Sequence, residues 1–383
     1  MYKEKKEMFM KFDIKKMVRP VCECFQPYVA GKPVETIKRE LGLKNVYKLA
    51  SNENPLGPSR LAVNAVKQCA GQVYFYPDSN SFDLKQAIAK KFGVKPENIL
   101  LGTGSDEIII ILAKIFFNPG EEIVVSEHAF IQYKSAGKLF DCKVVQVPMV
   151  DYTHDLDAMF AAVTKKTKAI FIANPNNPTG TYNTDKEFSG FMKKLAAKFG
   201  ACMPLVIMDE AYYEYARVEK DYPETLDYLK KYPNLIILRT FSKIYGLAGL
   251  RVGYGFASPE VVNYADRVRP PFNVNMAAQK AAIASLKDKA QVTKTLKLIN
   301  KEKRYLYAEL KKLQVPFVPS AGNFILIEVE PLKGDEFFRA LLKKGLIVRA
   351  MGEYEFPFHV RVTIGLPAEN RMFIKALKET LEK

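Results

Sequence analysis

Residues 234–254 read NLIILRTFSKIYGLAGLRVGY. Positions 235–238 are apolar without alternation, which is how a strand buried on both faces reads. The run gives way abruptly to Arg239, Thr240, Ser242 and Lys243, with Arg251 further on and glycines at 246, 249 and 253. The same change from apolar run to polar turn recurs along the chain. NILL (98–101) runs into GTGSDE, EIVVS (122–126) into EHAF, AIFIA (169–173) into NPNNPTG and LVIM (205–208) into DEAYYEY, while KVVQV (143–147) is a further run of this kind. Helical patterns separate these runs. The expected fold is therefore α/β, a mostly parallel sheet flanked by helices. Ligands in such sheets sit at the carboxyl ends of the strands, where these polar residues fall.

From about residue 275 the character changes. A long helical stretch, roughly 276–313, leads to NFILIEV (323–329), GLIVRAM (345–351), HVRVTIG (359–365) and a final helix, which together read as a smaller α+β domain. The expected division is an N-terminal arm over 1–54 that packs on the small domain, a large domain over 55–275 and a small domain over 276–383.

Composition limits the function classes. The 383 residues, 48% hydrophobic and 26% charged, are ordinary globular material and enough for two cores. The lysine-rich start, MYKEKKEMFMKFDIKKMVRP, has no apolar core of signal-peptide length. The most apolar stretch, IIIILAKIFF (108–117), contains Lys114 and is too short to span a bilayer. A soluble, cytoplasmic protein without membrane association is expected. Five scattered cysteines lack paired CxxC spacing and read as reduced, structural thiols, and the three histidines fit no triad or metal spacing, so no metal is expected. The net charge of +16 is spread as Lys-Lys pairs on amphipathic helices. That distribution suits solvated faces that help attract anionic metabolites, and no nucleic-acid partner is expected.

The strand ends carry the chemistry. GTGSDE places two glycines before a helix whose first turn holds Ser105, Asp106 and Glu107. Backbone N–H groups there suit a phosphate, although a plain capped helix starts the same way. NPNNPTG is a rigid turn expected to present its side-chain amides outward. Asp209, where an apolar strand emerges, needs a cationic or N–H partner. Lys243 is an amine able to form a Schiff base with a carbonyl cofactor. Pyridoxal phosphate (PLP) requires such a lysine, a carboxylate for its ring nitrogen and a phosphate cup. Asp209 supplies the carboxylate, and Ser105, Thr240, Ser242 and Arg251 supply phosphate donors.

With these residues in place, the chain resembles the fold-type I PLP-dependent aminotransferases of class I/II over roughly residues 20–383, and within them the histidinol-phosphate aminotransferases. The resemblance rests on PYVAGKP (27–33), KLASNENPLGPS (48–59), YPD (76–78), GTGSDE, ANPNNPTG, DEAYYEY, TFSKIYGLAGLRVGY, GLIVRA and VRVTIG. It implies that Lys243 is the Schiff-base lysine and proton carrier and that Asp209 pairs with the pyridinium nitrogen. Asn177 and Tyr212 would bond the ring's phenolic oxygen, and Phe130, where many relatives have tyrosine, would stack on the ring. Ser105, Asp106, Thr240, Ser242 and Arg251 would hold the phosphate. Tyr76 would reach the phosphate of a neighbouring subunit, which implies a homodimer with shared active sites, the arm over 1–54 packing also on the partner. Arg361 resembles the arginine that clamps the α-carboxylate; Arg349, Tyr28, Asn52 and Asn323 would complete the substrate pocket. The implied reaction converts histidinol phosphate and 2-oxoglutarate to imidazole-acetol phosphate and glutamate. Threonine-phosphate decarboxylases and aromatic aminotransferases share much of this motif set. A non-catalytic PLP-binding regulator and an RNA-binding protein are readings of a different class. The first normally carries a DNA-binding domain, for which the residues before PYVAGKP leave no room.

Overall fold

The structure is a computed structural model and describes residues 13–25 and 34–382. Residues 1–31 form a compact unit of their own, and its described part consists of the 3-10 turns Ile14–Lys16 and Pro20–Cys24. Everything below concerns the second unit, residues 32–383.

Six of the apolar runs and a seventh segment, Gly253–Phe256, form one sheet. In chain order its strands are β1 (Ile99–Gly102), β2 (Glu122–Ser126), β3 (Lys143–Val147), β4 (Thr167–Ala173), β5 (Leu205–Asp209), β6 (Leu235–Thr240) and β7 (Gly253–Phe256). Their spatial order is β1-β7-β6-β5-β4-β2-β3. All pairs are parallel except those of β7, which runs antiparallel to β1 and β6. The chain therefore turns straight back after Lys243 and re-enters the sheet beside the strand it has just left. Burial on both faces explains the missing alternation, since Val206, Ile207, Met208 and Ile236, Ile237, Leu238 are all fully enclosed.

The sheet's helices begin where the sequence provides caps. Thr184 and Glu187 form a reciprocal capping box at Asp185–Phe199. The long stretch expected over 276–313 is two helices, Met276–Lys287 and Lys289–Lys312. Asp288 is the cause: its carboxylate accepts from Gln291 N at 3.0 Å and opens a new helix where a continuous one would have left it unused.

The C-terminal residues build a four-stranded antiparallel sheet from β8 (Phe317–Val318), β9 (Phe324–Glu328), β10 (Arg349–Ala350) and β11 (His359–Thr363), in the order β8-β9-β11-β10. GLIVRAM is thus divided. Leu346–Ile347 pairs in parallel with Tyr47–Lys48, and only Arg349–Ala350 joins the larger ladder. No helix among the described residues is long and apolar enough to cross a membrane.

Candidate active site

Lys243 follows the end of β6 by three residues. Thr240 Oγ1 accepts from Ser242 N at 3.0 Å and bends the backbone so that the lysine leaves the sheet edge. Its Nζ donates to the Ser51 carbonyl at 3.1 Å and lies 5.7 Å from the centre of the Tyr212 ring. Asn54 anchors the next residue by donating to the Ile244 carbonyl at 2.7 Å. Desolvation, then the positive charge of Arg361, brings the Lys243 pKa down from 10.5 to about 8.

Asp209 ends the neighbouring strand β5 and is buried. Tyr133 OH donates to its Oδ2 at 2.6 Å and Ala211 N to its Oδ1 at 3.0 Å. Among the described residues no cation pairs with it. Burial therefore dominates and raises its pKa from 3.8 to about 6, against the two hydrogen bonds that favour the ionised form. Tyr212, three residues on, is also buried; its hydroxyl accepts from Asn52 Nδ2 at 2.8 Å.

The GTGSDE turn forms a cup of N–H groups. Gly104 occupies the position before the helix Ser105–Phe116, at φ 81°, and no side chain caps the helix. Ser105 is thus the first helical residue and not its cap. Glu107 folds back onto Thr103 N at 2.7 Å, leaving the Ser105 and Asp106 N–H groups at the helix start. Arg251 reaches this cup from the other side. Its own backbone is left-handed, at φ 55°, and its guanidinium meets Asp106 Oδ2 at 3.4 Å and the Ala248 carbonyl at 3.3 Å. Burial raises the pKa of Asp106, with Arg251 and Lys243 opposing. The glycines of TFSKIYGLAGLRVGY do separate jobs. A Cβ on Gly253 would lie 2.4 Å from Ser105 N, and one on Gly246 2.6 Å from the Gly57 backbone, whereas Gly249 has nothing within 4 Å. The first closes the cup and the second seats the lysine segment on SNENPLG.

Two arginines face the opposite end. Arg361 and Arg349 are direct cross-strand partners in β11 and β10, so both side chains project from one face of the small sheet. Arg361 donates to the Ala50 carbonyl at 2.7 Å and to Asn177 Oδ1. Arg349 pairs with Glu353 at 2.5 Å. Asn177 is the one amide of NPNNPTG that reaches across. Contrary to the expectation of outward amides, Asn174 bonds Asn183 just past the turn, and Asn176 donates to Thr179 Oγ1 within it and to the His128 carbonyl at 3.4 Å. Asn52 and Asn323 are buried supports. Asn52 has φ 56° and bonds Thr363 Oγ1 through its N–H at 2.9 Å, and Asn323 Nδ2 holds the Asn52 carbonyl at 3.1 Å. Tyr354 is buried nearby, its pKa raised by burial and lowered by Arg361 and Arg349.

The arrangement is a half-buried amine, a buried carboxylate that no cation among the described residues pairs with, an N–H cup with an arginine, and two arginines on one face. The family profile described as Aminotransferase class I and II matches residues 44–377. The chain belongs to the class I and II aminotransferases. A histidinol-phosphate aminotransferase of Moorella thermoacetica is 47% identical over 93% of this chain and 91% of its own. A namesake from Caldicellulosiruptor saccharolyticus is 43% identical over 95% of this chain and all of its own. The crystal structure of histidinol-phosphate aminotransferase from Sinorhizobium meliloti, in complex with pyridoxal-5'-phosphate, superposes with a TM-score of 0.85 at 28% identity, covering 95% of this chain and 97% of that one.

In this aminotransferase the structure brings together Ser51, Asn52, Ser105, Asp106, Asn177, Asp209, Tyr212, Thr240, Ser242, Lys243, Arg251, Asn323 and Arg361. Phe130 precedes the helix Ile131–Leu139 and meets the Tyr133 ring edge-on, with centroids 5.7 Å apart. Tyr76 is 80% exposed and stacks on Phe272 at 4.7 Å. Tyr28 lies outside the described residues. Sequence reading missed Tyr133 although it lies in the quoted EHAFIQYKS, three positions after Phe130, because nothing local ties it to a carboxylate 76 residues away. It also missed Arg239, whose guanidinium pairs with Glu210 at 2.8 Å in full burial and lies 3.4 Å from the centre of the Tyr213 ring. A charge directly closing an apolar run was the available signal.

Proposed function

We propose that this aminotransferase uses PLP to convert L-histidinol phosphate and 2-oxoglutarate to imidazole-acetol phosphate and L-glutamate, a step of histidine biosynthesis in the cytoplasm. The observation that carries the cofactor is Asp209, a buried carboxylate with one O–H and one N–H donor and no cation among the described residues, which a protonated ring nitrogen would complete. The other donors fit the same group. The Ser105 and Asp106 N–H groups, Thr240, Ser242 and Arg251 would hold its phosphate, Asn177 and Tyr212 its phenolic oxygen, Phe130 its ring face and Lys243 its aldehyde carbon. When bound, PLP supplies an electron-withdrawing protonated ring conjugated to the bond broken at the substrate's α-carbon.

Lys243 Nζ moves the proton. With a pKa of about 8, roughly a tenth of the amine is neutral at pH 7, against fewer than one in a thousand at an ordinary lysine value. Asp209 would keep its charge beside the cationic ring nitrogen, and Tyr133 holds its orientation. The Asn52–Tyr212 hydrogen bond fixes the phenol edge of the site. Arg361 and Arg349, side by side on one face, would accept the phosphate of one substrate and the two carboxylates of the other. Like charges placed directly opposite repel, so the pair favours a bound anion. The names of the relatives support this substrate assignment over decarboxylation or aromatic transamination.

The active site is read as shared by two copies. Val73, Tyr74, Phe75, Tyr76 and Phe82, close together in the chain, are large and exposed, and exposed Phe272 stacks on Tyr76, a patch suited to a second subunit. Tyr76 would then bond the partner's cofactor phosphate. The large domain over 55–275 carries the cofactor residues, and the small domain over 276–383 carries Arg349 and Arg361. Lys243→Ala tests the reading. The variant should lose the visible absorption that PLP gains on linking to lysine, together with essentially all turnover; retained turnover would overturn it.

A further inference from the structure

The helix Lys289–Lys312 buries Thr295, Ile299, Glu302, Leu306 and Leu310. An adjacent stripe carries Lys297, Asn300, Lys301 and Arg304 at i, i+3, i+4 and i+7, the spacing of a single helix face. That stripe lines a cavity of about 950 Å³ distinct from the Lys243 site, whose other walls come from residues 153, 181–182, 218–219 and 319–321. Lys297, Lys301, Lys303 and Arg304 face it against one carboxylate, Glu219. Among the described residues Lys297, Lys301 and Arg304 make no ion pair, whereas Lys312 on the same helix pairs with Glu309 at 2.7 Å. Like charges at i, i+3 and i, i+4 repel along a helix. A merely solvated face has no concavity in front of it, and this one does.

The walls add shape. Tyr307 stacks on Phe317 at 4.6 Å, and its hydroxyl accepts from Ser320 N at 2.7 Å, so the ring is fixed. Tyr182 is fixed by donating to Asp221 at 2.7 Å. Lys303 Nζ bonds the Ser320 carbonyl at 2.6 Å, and burial has brought its pKa down to about 8, a cost that an incoming anion would relieve. The volume exceeds what inorganic phosphate fills and matches a ligand of nucleotide size.

We propose that this cavity is a second anion site that binds a small polyphosphorylated molecule with an aromatic body, the chemistry of a nucleotide. Lys297, Lys301 and Arg304 take the phosphates, and Tyr182 and Tyr307 line the ring. The site's floor leads to the active site. Ala321 N donates to the Gly180 carbonyl at 2.8 Å, and a Cβ on Gly180 would lie 2.2 Å from Ser320 Oγ. Asn177 precedes this seam by three residues and Asn323 follows it by two, so an occupant alters how firmly both are held.

The test is calorimetric titration of the full-length holoenzyme, saturated with 2-oxoglutarate so that its active-site arginines are occupied, with ATP as the probe and tripolyphosphate and inorganic phosphate as comparison arms. One ATP should bind per chain, more tightly than tripolyphosphate, and phosphate should bind weakest. Lys301→Gln/Arg304→Gln should weaken ATP at least tenfold while keeping wild-type kcat/KM without ATP, and Arg361→Lys should leave ATP binding unchanged. ATP should shift the KM for the amino substrate at least twofold in the wild type and not in the double variant. No ATP binding, equal binding by the double variant, or loss of binding in Arg361→Lys would overturn the site. An unshifted KM would overturn the coupling.

Discussion

Asp209→Asn should make the cofactor-free protein more stable and the enzyme nearly inactive. The Asp209 pKa is raised from 3.8 to about 6, with burial as the first cause. A carboxyl whose pKa rises on folding is held as the neutral acid by the native state. Its contribution therefore favours folding below 3.8 and is lost as pH rises through about 6. The full difference corresponds to about 3 kcal/mol at pH 8. Asparagine keeps an oxygen for the Tyr133 hydroxyl and removes the charge, but its amide hydrogens arrive without assured acceptors. A net gain of about 1–3 kcal/mol remains. The assay is urea unfolding of wild-type and variant apoprotein at pH 8 and at pH 4. The variant should have the higher midpoint at pH 8, and most of the gain should be gone at pH 4. With PLP added, kcat should fall by about 10²-fold or more, because the ring nitrogen has lost its counter-charge. An apo variant less stable at pH 8, or a gain independent of pH, would refute the reasoning.

Other perturbations follow from named contacts. Arg361→Lys loses the forked contact to Asn177 and the Ala50 carbonyl; steady-state kinetics should show kcat/KM for 2-oxoglutarate falling about 10²-fold. Arg239→Met leaves Glu210 buried with only hydroxyl partners, and denaturant unfolding should register a loss of about 3–5 kcal/mol. Gly253→Ala drives a methyl group into Ser105 N; equilibrium titration should show PLP affinity reduced about 10- to 100-fold with unchanged far-ultraviolet dichroism. Subunits of Lys243→Ala and Tyr76→Ala, unfolded together and refolded, should regain up to about a quarter of wild-type activity, because half the dimers are mixed and each holds one intact site. No gain over the separately refolded variants would contradict shared sites.

The parts legible in sequence are those where function and fold share a local signal. Apolar runs without alternation located six of the seven main-sheet strands, and each polar turn after them marked a place where a ligand could sit. Lys243, Asp209 and the GTGSDE turn were readable because a buried strand end has no structural use for such groups. What stayed hidden depends on long-range pairing. VGYGF reads as the tail of a glycine-rich loop, and only the sheet's vacant place between β1 and β6 makes it an antiparallel strand. Tyr133 looks like helix surface until Asp209 is seen above it. Asn52 is conspicuous only once its left-handed backbone and its bonds to Thr363 and Tyr212 are known. The helix break at Asp288 was readable, since Asp is a favoured cap, but a continuous apolar period masked it.

The central claim is best tested on the substrates themselves. Purified protein with PLP, histidinol phosphate and 2-oxoglutarate should release glutamate and imidazole-acetol phosphate in equal amounts, with no carbon dioxide from threonine phosphate and with slower glutamate formation from aromatic amino acids. Carbon dioxide from threonine phosphate without glutamate from histidinol phosphate would contradict it.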